Sequence, residues 1–136
     1  MKVQLDPGAY TPERAHPTDA GIDLKSLYNL TIPRRGIMIC PTGVHVEIPH
    51  GTFGDVRSKS GLLAGQSLFV LGTVDEGYTG EVKVMLLNFS GKDQYITAGQ
   101  KIAQLVICQC LCEEIEIVSK ISGGPRGNNG FGSTGR

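Results

Sequence analysis

Two carboxylates, a cluster of cations and hydroxyls, one amide inside an apolar run and a glycine-laden terminus are the parts of this chain able to do chemistry. The first carboxylate, Asp75, stands with Tyr78 where Gly72-Thr73-Val74 enters a turn holding Gly77 and Gly80, and Glu81-Val82-Lys83-Val84 leads out. That composition predicts strand, turn, strand, with positive φ angles at the tip. An Asp at such a rim acts as a general base when substrate shields it from water, because partial desolvation raises its pKa. It equally fits a turn whose side chain bonds its own backbone. The second carboxylate, Asp23, follows the small residues Ala20-Gly21 and points away from Ile22 and Leu24 if that stretch is extended.

Arg57-Ser58-Lys59-Ser60-Gly61-Leu62-Leu63-Ala64-Gly65 puts two cations and two hydroxyls ahead of a brief helix over residues 60–65, with Ser60 as N-cap and Gly65 as stop. A helix start preceded by Arg and Lys favours an anion, since free backbone N–H groups point outwards there. A capped surface turn explains the same residues. Gln104 interrupts the apolar run from Ile102 to Ile107; buried, its amide must be hydrogen-bonded, so it either ties down backbone or faces a polar site. The end of the chain, from Ser122, sets Arg126, Phe131, Ser133 and Thr134 among glycines: a phosphate fork, a stacking face and close-range donors. The same composition describes a plain flexible tail.

Thirteen basic and thirteen acidic residues cancel, which argues against a general attraction to nucleic acid or an anionic membrane, so any phosphate chemistry is local. No apolar run is long enough to span a bilayer and no secretory core opens the chain; a cytoplasmic location, or the host-cell interior if the source is viral, is expected. Cys108, Cys110 and Cys112 alternate too closely for the usual zinc spacing and are expected as packed thiols. His45 and His50 are expected as ordinary surface histidines.

The elements that must position these groups are short. A chain of 136 residues is one domain's worth. Strands are expected at residues 2–5, 44–48, 53–56, 82–89, 101–111 and 115–117, and a hairpin from 27–32 and 36–40 across Pro33-Arg34-Arg35-Gly36. About ten short strands, many Gly and Pro turns and one short helix indicate an all-β sandwich or barrel. The composition break divides the chain into a β domain over residues 1–121 and a glycine-rich segment over 122–136.

Five segments together resemble the trimeric dUTP diphosphatases, the dUTPases. They are Ala20-Gly21-Ile22-Asp23-Leu24, Ser60-Gly61-Leu62, the stretch from Gly72 to Glu81, Gly99-Gln100-Lys101-Ile102-Ala103-Gln104-Leu105, and Arg126-Gly127 with Gly130-Phe131-Gly132-Ser133-Thr134-Gly135. Their order is the family's, over nearly the whole chain. The resemblance implies a jelly-roll-like (β-clip) homotrimer, active sites assembled from more than one chain, and a C-terminal tail exchanged between subunits as a lid. It also implies hydrolysis of dUTP to dUMP and pyrophosphate, which limits uracil incorporation into DNA and supplies dUMP for dTMP synthesis.

By the same resemblance, Asp75 activates the attacking water and Tyr78 packs under the deoxyribose. The hairpin backbone, including Gly72, Thr73, Val74, Glu81, Val82 and Lys83, reads the uracil edge. Ser60, Gly61 and a preceding cation hold the phosphates. Asp23 and Gln104 position water around a triphosphate-bound Mg2+; Arg126, Ser133 and Thr134 grip the terminal phosphate, and Phe131, beside Gly132, stacks on uracil. The family writes Arg-Ser-Gly-Leu contiguously, whereas here either Lys59 replaces that arginine or Arg57 reaches in from two residues upstream; the two cations are not equivalent. A dCTP deaminase would need a carboxylate near Met85, where none stands. A non-catalytic nucleotide-sensing or partner-binding trimer is the other alternative, and an active enzyme leaves room for a regulatory partner of unknown identity.

Overall fold

Alternation decides which strand faces are buried. Val84, Leu86 and Asn88 turn inwards while Met85 stays exposed, and Val44 and Val46 are buried on either side of His45. The computed structural model describes residues 1–125, 127 and 128. Its elements are β1 (Val3–Leu5), β2 (Gly21–Lys25), β3 (Leu30–Ile32), β4 (Ile37–Cys40), β5 (Val44–Val46), β6 (Thr52–Ser58), α1 (Ser60–Gln66), β7 (Leu68–Val74), β8 (Val84–Asn88), β9 (Gln94–Ile96) and β10 (Lys101–Gln109). The all-β expectation with one short helix holds.

A six-stranded sheet runs β2-β10-β6-β7-β8-β4, and two small sheets, β1-β5 and β3-β9, complete the fold. Every ladder among the described residues is antiparallel. The core is shared by all three sheets: Val44 and Val46, Ile32 and Ile96, and from the large sheet Leu24, Val56, Leu68, Val84, Leu86, Ile102 and Leu105. No helix among the described residues is long and apolar enough to cross a membrane.

Several expectations are corrected. Residues 27–32 and 36–40 do not form a hairpin: β3 pairs with β9, and β4 with β8. The turn is there, with Gly36 N–H donating to Pro33 O at 3.0 Å and Arg35 at φ 52°. What parts the two runs is Asn88, whose buried amide donates to Ile32 O (3.1 Å), Pro33 O (3.1 Å) and Lys92 O (2.9 Å), binding the turn to the end of β8 instead. Ser60 is not the N-cap: Lys59 holds that position in extended conformation, without a side-chain cap bond. The helix runs past Gly65 and stops at Ser67, left-handed at φ 54°, whose N–H reaches Leu62 O and Leu63 O and whose carbonyl accepts from Phe89 N–H.

Residues 115–117 are not a strand, and from Cys110 to Pro125 the described chain has neither strand nor helix. Cys108 is only half-buried, and Cys110 and Cys112 are exposed with their sulfurs 3.7 Å apart. Packing of these thiols fails within the chain because β10 ends at Gln109 and no strand among the described residues covers the segment beyond it. Leu111, Ile115, Ile117 and Ile121 are more than four-fifths exposed, an apolar series wanting cover.

Candidate active site

Three neighbouring strands bring one row of polar groups together. Gln104 on β10 lies opposite Asp23 on β2 and opposite Arg57 on β6. With Lys59 and Gly21 they line a pocket of about 320 Å³. Asp23 is 4% exposed and carries an ammonium on each oxygen: Lys59 Nζ donates to Oδ1, and Lys101 Nζ to Oδ2 at 2.7 Å. Burial pushes the Asp23 carboxyl up, but the two lysines, Lys101 foremost, outweigh it and hold the group below its ordinary 3.8. Gln104 donates a long bond from Nε2 to Ser58 O (3.4 Å), while Oε1 presses against Gly21, where a Cβ would lie only 2.2 Å away. Both readings of Gln104 therefore hold: it ties down backbone and faces a polar site.

The two candidate cations differ. Arg57 is more than half exposed and donates from Nε to Asp55 Oδ2 at 2.6 Å, on its own strand. Lys59 reaches into the pocket from the helix start, beside Ser60 and Gly61, which stand exposed in the first turn. Nothing lies within 4 Å of where a Gly61 Cβ would be, so the backbone there is open to close approach.

The hairpin is open-mouthed. β7 and β8 pair only through Leu68, Phe69 and Val70, after which Leu71 to Val74 follow β6 while Glu81 and Val82 attach to β5. Its tip, Asp75-Glu76-Gly77-Tyr78, closes with Tyr78 N–H donating to Asp75 O at 3.2 Å and Gly77 at φ 84°, a turn that favours Gly at its third position. Gly80 is not in the left-handed region, contrary to expectation. Its lack of a Cβ makes room instead for the Tyr78 hydroxyl, which would lie 2.4 Å from one and which donates to Glu81 O at 3.0 Å.

Straps fix this loop from outside. The Glu81 carboxylate accepts from Thr42 N–H and Gly43 N–H, both at 2.9 Å, so among the hairpin residues its side chain is structural. Val74 and Val82 are buried, Thr73 and Lys83 exposed, and Gly72 sits against Val56. His45 donates from Nδ1 to Thr79 O (2.9 Å), and His50 from Nδ1 to Glu76 Oε1 (2.8 Å). The histidines expected as ordinary surface residues thus brace the loop that carries Asp75. Sequence reasoning missed this role because each partner lies 26 or more positions away, with no local signal.

Asp75 and the pocket do not meet within one chain. Val74 opposes Gly54, whereas Gln104 opposes Arg57, so Asp75 lies four β6 positions from the Gln104 row and three strands from Asp23. That is about 13 Å along the strands and about 14 Å across them. The expected Arg126, Phe131, Gly132, Ser133 and Thr134 lie outside the described residues.

Among the described residues no three His, Cys, Asp or Glu side chains converge on a metal position. Asp23 already holds two ammoniums, and the nearest further oxygen donor in its row is an amide. This donor set fits a Mg2+ that arrives on a triphosphate and keeps its waters, not one caged by protein.

Known proteins resemble this chain in sequence and in fold. The family model described as dUTPase matches residues 8–135. The chain is 41% identical over 139 aligned positions to the deoxyuridine 5'-triphosphate nucleotidohydrolase of Gloeothece citriformis, covering 99% of this chain and 96% of the relative. The dUTPase of Staphylococcus bacteriophage 80alpha with dUpNHpp superposes with a TM-score of 0.88 at 29% identity, covering 99% and 98% of the two chains. A mutant dUTPase from phage phi11 of S. aureus, described as coordinating a structural Mg(II) ion, superposes at 0.80 with 27% identity over 90% and 98%.

Proposed function

The chain belongs to the dUTPase family, and from that premise we propose that it hydrolyses dUTP to dUMP and pyrophosphate at a site shared between subunits of a homotrimer. The observation that carries the reading is the convergence of Asp23, Gln104 and Lys59 on one polar pocket, with the Asp75 loop braced by hydrogen bonds but out of reach on the same chain. A neighbouring subunit's loop supplies Asp75 and Tyr78 to this pocket. The segment over residues 122–136 closes as a lid, bringing Arg126, Ser133 and Thr134 to the terminal phosphate and Phe131 over the uracil.

In this mechanism the backbone between about Leu71 and Lys83 presents its open hydrogen-bonding groups to the uracil edge, which rejects cytosine by leaving buried groups unpaired. The Tyr78 ring, held by its bond to Glu81 O, lies under the sugar and excludes a 2′-hydroxyl. Lys59, Ser60 and Gly61 take the phosphate chain; Arg57 is held by Asp55 and contributes charge from the rim. Asp75 orients and deprotonates the water that attacks the α-phosphorus in line. Asp23 and Gln104 would hold a Mg2+ through its waters, and the ion would supply charge neutralisation at the phosphates. Closure of the lid excludes bulk water and strengthens each of these contacts.

The test is pyrophosphate release from dUTP, UTP, dTTP and dCTP with magnesium, alongside Asp75→Asn. Only dUTP is expected to turn over. Asp75→Asn keeps affinity for a non-hydrolysable dUTP analogue and loses turnover by orders of magnitude. Release of ammonia from dCTP, or an Asp75→Asn protein as fast as the parent, removes the proposal.

A further inference from the structure

Asp23 is held from behind by a residue that has no part in the mechanism above. Strict alternation along β10 would turn Lys101 to the face opposite Gln104. The ladder with β2 shifts between Lys101 and Ala103, a bulge that leaves both Ile102 and Ala103 fully buried and brings the Lys101 ammonium round to Asp23 Oδ2 at 2.7 Å. Bulges beside active sites commonly re-aim a side chain in this way. Lys101 also lies opposite Lys25, and Glu13 sits between them, its Oε1 at 3.6 Å from Lys101 Nζ and 2.8 Å from Lys25 Nζ. The result is a line of alternating charge, Lys59, Asp23, Lys101, Glu13, Lys25, of which only Lys59 and Asp23 line the pocket.

We propose that Lys101 is a positioning residue that frees Lys59 for the substrate's phosphates, an inference that rests on the reading of Lys59 as the phosphate-binding cation. In the unliganded chain Lys59 is committed to Asp23. To move onto a phosphate it draws away from a carboxylate that is 4% exposed, and a buried charge that loses its partner is strongly unfavourable. Lys101 removes that obstacle, because Asp23 keeps one ammonium throughout. Without Lys101, Asp23 would depend on Lys59 alone and would retain it against the incoming nucleotide.

The experiment measures binding of the non-hydrolysable α,β-imido analogue of dUTP to the assembled protein by calorimetry, in EDTA, so that no magnesium contributes. Lys101→Met is expected to weaken binding by about tenfold or more, and Lys101→Arg to restore most of it. In an Asp23→Asn background, where no charge is left to strand, Lys101→Met has no further effect. Glu13→Gln, which touches only a half-exposed carboxylate, tightens binding because Lys101 is no longer shared, and this gain also vanishes with Asp23→Asn. Unchanged affinity in Lys101→Met, or an equal loss in both backgrounds, overturns the inference. Should Lys101→Met fail to fold, a Glu13→Gln protein that binds no tighter, or equally tighter in both backgrounds, overturns it as well. If Lys59→Met leaves affinity unchanged, the phosphate assignment itself fails; if Lys59→Met weakens binding and Lys101→Met does not, only the role of Lys101 falls.

Discussion

Replacing Gly21 by alanine tests whether the Gln104 amide is used where it stands. A Cβ at residue 21 would lie 2.2 Å from Gln104 Oε1, 2.9 Å from Cδ and 3.0 Å from Cβ, with ordinary contact beginning at 3.4 Å. The amide oxygen must retreat by about 1.2 Å, a repulsive overlap that no side chain withstands. Its end is flexible and opens on the pocket, so the retreat costs the fold little. Overpacking costs about 1 to 2 kcal/mol here, and the loss of unfolded-state freedom on replacing Gly returns about 0.4 to 1 kcal/mol, leaving a melting shift of a few degrees. Catalysis is less forgiving, since a misplacement of about 1 Å costs about 100-fold, or about 2.7 kcal/mol in the barrier. Gly21→Ala is therefore expected to melt within a few degrees of the parent while kcat/KM for pyrophosphate release from dUTP falls by about two orders of magnitude. Adding Gln104→Ala to Gly21→Ala costs no more than Gln104→Ala alone, because the displaced group is already gone. A folded Gly21→Ala enzyme of parental activity, or additive losses in the double variant, refutes the reasoning.

The loop and the lid each carry a further expected outcome. His50 is lifted above its ordinary 6.5 by its hydrogen bond to Glu76, and Glu76 is held below its ordinary 4.5 by His50 first and then by Gly51 N–H. What His50 adds to the fold is complete below 6.5 and fades as pH climbs through its raised midpoint, whereas what Glu76 adds is present above 4.5 and is lost as pH falls through its lowered one. An NMR titration should place the His50 midpoint above 6.5 and return it there in Glu76→Gln; an unmoved midpoint breaks the strap. Truncation before Arg126 should leave melting unchanged and remove most dUTP turnover; a shortened enzyme at full rate removes the lid from the mechanism.

Much of the site is legible in the sequence because its chemistry is local. Asp75, Gly77 and Tyr78 announce a turn by themselves, and Gln104 stands out as one amide in an apolar run. The mispaired hairpin and the unread strand β9 have the opposite origin. Ile32 is diverted by Asn88, 56 positions away, and long-range pairing leaves no imprint on a short window of sequence. Lys101 belongs to a recognisable segment yet carries no expected role, because alternation aims it away from Asp23 and only the bulge brings it back. Gly21 reads only as a small residue and Gly80 as part of a positive-φ tip, whereas each makes room for a neighbour's side chain, Gln104 in one case and Tyr78 in the other. The strand expected at residues 115–117 has the right alternation and no partner strand among the described residues of its own chain.

If the centre is shared between subunits as proposed, the separation of Asp75 from the row of Asp23 and Gln104 along one sheet has a genetic corollary. A polypeptide lacking the base and another lacking the cation are each inert when pure. Co-assembled, the first would lend its intact pocket and the second its intact loop, and a working centre would reappear at the seam between two broken copies. Mutant alleles damaged in different halves would therefore complement, while alleles damaged in the same half would not.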